Sequence, residues 1–395
     1  MMRKRFFSVL TIAALLCLFG LSFAGSATDE EITVAFFPYF PDSEFCQESL
    51  TAQWAALEPD VPLRFVSYNC YDDDDPGDAD VLLYDAMCMT ALVKNGYIRP
   101  IDLSSVAQSD GIFSSAVENA YCDGQLYGVP TFLCTNCLFY RQDDHALDEV
   151  QSIEQLYRVI GDRDTPSTKP TDEKDGLVLD LVGSAPFFYQ DAIMDCTGMY
   201  VSGDPELLPP NEGAIDVLRM MDDMSGMYEM EDIDDSSVLI EWFREGYGRA
   251  YYGYTESLYG MEDMIDQLVL RPISFDESGN IQLFYMDVAS LGATDQSPEK
   301  TALCMKLINL MTSEELMMAW CLGGDSPQYI LPSRPAAYDR LAESLPLYHK
   351  LATIVENEPK YYSRFGTGIY DYGENIDQIL FTLVNEERLG GVSEE

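Results

Sequence analysis

Along the amino-terminal part of the chain, short apolar runs of strand length alternate with stretches of helical composition. Residues 32–37 form the first run. A Pro-Tyr-Phe-Pro turn and a helix-like stretch near 46–57 follow, then further apolar runs at 62–67 and 80–84. Strands alternating with helices argue for an α/β layer with a largely parallel sheet. In such sheets ligands sit beyond the carboxyl ends of the strands, where Tyr39, Tyr71 and Asp85 fall.

A second α/β unit follows an unusual connection. Residues 125–141 are rich in aromatic and apolar side chains and lack a helical period, so they are predicted to cross between two lobes as extended chain. Residues 162–176 have loop composition. A strand is predicted at 177–182, helices near 186–197 and 212–224, and a strand at 249–254. Extended residues 281–291 return the chain to the first lobe, with helices after about 297. At 395 residues, two lobes joined by crossing strands fit better than one core. The expected division is 28–135 with 288–345 for one lobe, and 136–287 with 346–395 for the other.

The chain carries 68 acidic against 23 basic side chains, a formal charge of −45. That balance excludes nucleic acid, whose phosphates need a basic face, and disfavours anionic membrane surfaces. Small cations, by contrast, are concentrated by a negative field. Adaptation to salty surroundings gives the same composition, and only eight lysines occur. The acidic run Asp72–Asp75 with Asp78 and Asp80 resembles a calcium loop, but the twelfth place from Asp72 is Leu83 instead of a bidentate glutamate. A solvated acidic loop is the expectation.

Residues 1–27 have the form of a secretory signal: basic Arg3, Lys4 and Arg5, an apolar run from Phe6 to Phe23, then small residues. The competing reading, a membrane anchor, suffers from a run barely long enough to span. Cleavage leaves a soluble, exported chain with 20 basic against 68 acidic residues, expected to be a monomer. It also removes Cys17 and leaves nine cysteines, an odd number; four disulfides and one free thiol is one solution in an oxidising compartment. Metal binding has little support, since His145 and His349 are the only histidines and zinc-type paired motifs are missing. His145, in Gln-Asp-Asp-His, is expected at the surface.

Cys134 and Cys137 form a Cys-x-x-Cys pair with three competing readings. A thioredoxin-type redox site needs a helix start, and the flanks here are strand-like. Both cysteines can instead belong to disulfides, for instance Cys122 with Cys137. Alternatively, Cys134 is the odd free thiol and acts as a nucleophile on the crossing. A thiol needs a base to become a thiolate, and without a well-placed histidine a buried carboxylate must serve. Glu256, after Tyr-Tyr-Gly-Tyr-Thr at the end of an apolar strand, is the candidate.

The segment Tyr127-Gly-Val-Pro-Thr-Phe-Leu-Cys134-Thr-Asn-Cys-Leu-Phe-Tyr-Arg141 closely resembles the active-cysteine segment of the thiaminase I (thiamine pyridinylase) family. So do Pro38-Tyr39-Phe-Pro-Asp42, Gly253-Tyr-Thr-Glu256-Ser257, Leu283-Phe-Tyr285-Met-Asp287-Val288 and Pro327-Gln-Tyr-Ile-Leu-Pro-Ser-Arg334, in the family's order. The resemblance implies a two-lobed α/β fold of the periplasmic-binding-protein type (type II) with an interlobe cleft. It implies a secreted transferase with Cys134 as nucleophile and Glu256 as base. The thiolate adds to the pyrimidine of thiamine, the thiazole leaves, and an amine or thiol acceptor displaces the enzyme, with no cofactor or metal. Asp85 and Asp287 match carboxylates that hold the aminopyrimidine, and Tyr39, Tyr71, Tyr254 and Tyr285 match aromatic residues lining the cleft. Phe37 and Ser237 stand where cleft tyrosines are expected, and Cys137 where the family is apolar. The rival expectation is a solute-binding protein that captures thiamine or a related cation without chemistry.

Overall fold

The computed structural model describes residues 31–72, 74–163, 169–198, 211–226, 237–277, 282–355 and 361–366. The signal expected over residues 1–27 and the stretch from residue 367 lie outside the described residues. The first strands are β1 (Ile32–Phe36), β2 (Leu63–Ser67) and β3 (Val81–Asp85), with helix α1 (Ser43–Leu57) between β1 and β2. β1 lies between β2 and β3, parallel to both. Both flanking contacts and the covering helix bury every residue of β1, hence its unbroken apolar run.

The crossing residues form β4 (Val129–Cys134) and β5 (Asn136–Arg141). β4 joins the first sheet, beside β9 (Leu283–Gly292), which is antiparallel to both β3 and β4. β5 joins a second sheet of four strands, antiparallel to β7 (Ala250–Tyr254) and to β8 (Leu268–Arg271). Only Thr135 separates the two sheets along the chain. The strand expected at 177–182 is shorter, β6 (Leu177–Val178), because it pairs only with Ala250 and Tyr251 of β7. Helix α2 (Leu181–Thr197) begins directly after it and packs on this sheet through Phe188 against Tyr252, ring centroids 5.8 Å apart.

Local chemistry sets the helix starts. Asp42 accepts from the Phe45 amide at 3.0 Å to open α1. Ser297 does the same for α3 (Pro298–Met311) at the Lys300 amide, with proline in the first turn. The core of the first sheet gathers on Trp320, stacked on Phe132 at 5.7 Å with Phe36 and Phe40 edge-on. The last family-like block is structural: buried Arg334 donates to the carbonyls of Thr312, Gln108 and Ala107. Near the end of the described residues, Tyr361 and Tyr362 pair with Leu283 and Phe284 of β9.

The acidic loop is solvated as expected at Asp78, which pairs with Arg64 at 2.9 Å on the surface. Asp80 departs from that expectation. It is 1% exposed, receives the Thr33 amide at 2.9 Å and pairs with Lys300 at 2.8 Å. The partner lies 220 residues away in sequence, beyond the reach of local pattern.

Candidate active site

Strand register assembles the site where the two sheets meet. Across the β4–β9 ladder Cys134 faces Tyr285, and across β3–β9 Asp85 faces Asp287. Directly opposed residues share a face, as do residues two apart on one strand. The four side chains therefore emerge on one side of the first sheet. The β4–β9 register slips between Met286 and Val288, and there Thr131 Oγ1 donates to the Asp287 carbonyl at 2.9 Å. In the second sheet Tyr254 is opposite Asn136, and a 3₁₀ turn, Thr255–Gly260, follows β7 and carries Glu256.

The thiol of Cys134 and the Glu256 carboxyl are neighbours close enough for each to shift the other's pKa. Burial pushes the thiol well above its ordinary pKa, and the charges of Glu256, Asp287 and Asp85 push the same way. At rest the sulfur is protonated. Glu256 is itself pushed up to about 7, chiefly by burial, although Thr255 Oγ1, 3.1 Å away, and the thiol favour its anion. A carboxyl near neutrality beside a thiol is suited to exchange a proton with it. The Sγ–carboxyl pair can therefore form a nucleophile as a bond is made.

Asp85 is buried at the carboxyl end of β3. Its oxygens accept from the Tyr71 hydroxyl at 2.7 Å and the Met87 amide at 2.9 Å. Burial raises its pKa to about 6 against those two donors. Asp287 is raised well above the carboxylate range, by burial and then by the charges of Asp85 and Glu256. Among the described residues, none of Asp85, Glu256 and Asp287 forms an ion pair with a lysine or arginine. Uncompensated carboxyls in a low-dielectric cleft suit a cationic ring.

Aromatic rings complete the wall. Tyr39, 61% exposed, stands at the rim. It is 5.2 Å from Phe37 and 6.3 Å from Tyr71. Phe37 thus keeps the ring of the expected tyrosine in the cluster. Tyr71 continues to Phe187 at 5.8 Å, and Phe187 to Phe365 at 5.8 Å. Tyr254 meets Tyr285 edge-on at 5.4 Å. Ser237 opens an outer helix, Ser237–Arg244, with an exposed side chain.

All eight residues singled out from the sequence have described positions; six are linked by the ladders, hydrogen bonds and charges given above, and Tyr254 joins through its ring contact with Tyr285. Tyr39 joins through Tyr71. Sequence reasoning missed Asp191, Asn136, Phe187 and Phe365. Asp191 was detectable as the one charged residue in the mostly apolar stretch 185–194. The Asn136 amide is buried with neither its oxygen nor its nitrogen hydrogen-bonded among the described residues.

The disulfide expectation is corrected. All nine described cysteines, Cys46 to Cys321, are free thiols. Most are packed as small apolar side chains, which is how buried cysteine commonly behaves. Cys137 is fully buried on the strand facing Gly253, apart from any sulfur partner, and Cys134 is unbridged. His145 is exposed and pairs with Asp148 at 3.1 Å, so it is a surface residue as expected. No group of three or more His, Cys, Asp or Glu among the described residues is arranged to hold a metal.

Two sheets that meet at a buried thiol beside a carboxyl define a class: a two-lobed α/β protein of the periplasmic-binding type. Comparison narrows the class. The model of the Thiaminase-1 domain matches residues 135–276, a span that includes Glu256. Thiaminase-1 of Paenibacillus thiaminolyticus is 34% identical over 372 residues, 91% of this chain and 90% of that protein. The structure of Clostridium botulinum thiaminase I in complex with thiamin superposes with a TM-score of 0.84 at 28% identity, over 90% of this chain and 100% of that one. Maltose-bound MalE3 of T. maritima shares the fold, with a TM-score of 0.63 at 15% identity over 89% of this chain and 99% of that one. The chain belongs to the thiaminase I family of enzymes.

Proposed function

We propose that the protein is an exported thiamine-degrading transferase that exchanges the thiazole of thiamine for an amine or thiol acceptor. The observation that carries this reading is the buried, unbridged Cys134 thiol with the Glu256 carboxyl as its neighbour, both raised in pKa chiefly by burial. In the first half-reaction the Cys134 proton passes to Glu256 as the sulfur bonds to the pyrimidine. The thiazole then departs with the electron pair of the broken bond and loses its positive charge. In the second, an acceptor bonds to the pyrimidinyl group as its proton passes to a neighbouring carboxylate, and the departing sulfur takes back the proton held by Glu256, restoring the thiol.

Asp85 and Asp287 hold the aminopyrimidine. A carboxyl of raised pKa can take or share a proton at a ring nitrogen and so stabilise charge that builds up during attack. Tyr39, Tyr71, Tyr254 and Tyr285 line the cleft and offer faces to the cationic thiazolium. No cofactor is called for, since both half-reactions are polar and balance through these carboxyls. The chain passes from the first sheet to the second at Thr135, directly beside the nucleophile. Among the described residues no helix is long and apolar enough to cross a membrane. Export by the leading signal and action as a monomer belong to the same reading.

The test is incubation of the mature protein with thiamine and aniline. Wild type is expected to release thiazole and form the anilino product, with a pyrimidine-sized mass gain on the peptide containing Cys134 in the absence of acceptor. Cys134→Ser should give neither and still bind thiamine. Exchange persisting in Cys134→Ser rules out the mechanism. Binding by wild type without exchange or adduct supports capture by a solute-binding protein instead.

A further inference from the structure

We propose that Asp191 is a positioning residue for the transfer reaction: through the Tyr285 hydroxyl it fixes the ring that stands beside Cys134. The inference rests on the function proposed above. Asp191 lies on α2 and is 2% exposed. Its Oδ2 accepts from the Tyr285 hydroxyl at 2.5 Å. Its Oδ1 is buried and has no hydrogen-bond partner among the described residues.

That arrangement is a poor device for stability alone. A buried carboxyl with one donor keeps most of its desolvation cost, and neither lysine nor arginine is among the groups acting on it. Its value lies in where Tyr285 stands. The ring belongs to β9 of the first sheet and faces Cys134 across the ladder. Helix α2, which carries Asp191, packs on the second sheet. The hydrogen bond therefore links the two sheets at the nucleophile. It complements the edge-on contact with Tyr254, whose interplanar angle is 87°. Together they leave the Tyr285 ring one orientation, and a ring ordered before substrate arrives spares the cost of ordering it on binding.

The experiment is a double-mutant cycle on thiazole exchange with Asp191→Asn, Tyr285→Phe and the double variant. Each single variant is expected to raise KM about tenfold with a smaller change in kcat, because the ring is kept and only its hold is lost. The double variant is expected to be no worse than either single one, since both remove the same link. Unchanged KM in Asp191→Asn, or effects that multiply in the double variant, overturn the inference. If Asp191→Asn does not fold, Tyr285→Phe decides alone, and an unchanged KM there overturns it.

Wild-type protein without exchange refutes the function proposed above and not this link. In that case tyrosine ring-labelled NMR decides: Asp191→Asn should shift the Tyr285 resonance, and an unmoved resonance overturns the inference.

Discussion

An aspartate stands at each end of strand β3, and the two have opposite surroundings. Asp80, at the amino end, is 1% exposed. It is matched by the Lys300 ammonium at 2.8 Å, the Thr33 amide at 2.9 Å and the Gln296 amide at 2.9 Å. Asp85, at the carboxyl end, has two neutral donors and faces Asp287. Its pKa is held at about 6. One end of the strand satisfies a buried charge, and the other leaves it in want of a cation. The carboxyl ends of strands are where this fold class opens to ligands. The raised carboxyls of Asp85, Asp287 and Glu256 therefore gather at that end, where the proposed cationic substrate would favour their ionised forms.

The largest effect that tests this contrast concerns Glu256. Glu256→Gln should lower kcat about 10³-fold with little change in thiamine binding, because the thiol loses its proton acceptor. Steady-state exchange with a titration of thiamine binding measures both, and intact turnover would move the base elsewhere. Asp80→Ala should do the reverse. It leaves Lys300 and the Thr33 amide without their partner, at about 3 kcal/mol of stability read by urea unfolding. The protein that remains folded should keep its kcat/KM.

Next in size is the pH profile. Glu256 must be ionised to accept the thiol proton, so kcat/KM should fall about tenfold for each unit below about pH 6 and level off above about 7. A profile flat from pH 5 to 8 would separate the base from Glu256. The smallest effect is on stability. Glu256 has a raised folded pKa, so the unfolded chain binds fewer protons than the folded one between about pH 4.5 and 7. Stability falls with rising pH across that window. Glu256→Gln should then gain stability relative to wild type as pH rises from about 4.5 to 7, and show no such gain below about pH 4. Thermal unfolding at the two ends of that range checks the sign.

The order of strands and helices was legible because each element carries its own period and cap. Residues 43–57, 212–225 and 298–311 show this, each with Asp, Asn or Ser at the start. Cys134 and Glu256 were legible through their motif blocks. Their pairing was legible only through the family resemblance, since 121 residues separate them in the chain. Asp80 was misjudged for a related reason: its loop is acidic and polar, and only packing against α3 brings Lys300 to it. The cysteine count suggested disulfides by parity, but parity contains no geometry, and bridging needs sulfurs brought together. Asp191 escaped notice because its partner, Tyr285, lies 94 residues away on a strand of the other sheet.

By itself the sequence determined that this chain builds two α/β layers, crosses between them near Cys134, and belongs with thiol-bearing cleft proteins. These are local properties, encoded in periodicity, caps and contiguous motifs. Tertiary structure alone decided which carboxyls meet a cation and which are left without one. Desolvation and pairing depend on what two distant strands bring together, and residue type says nothing about either.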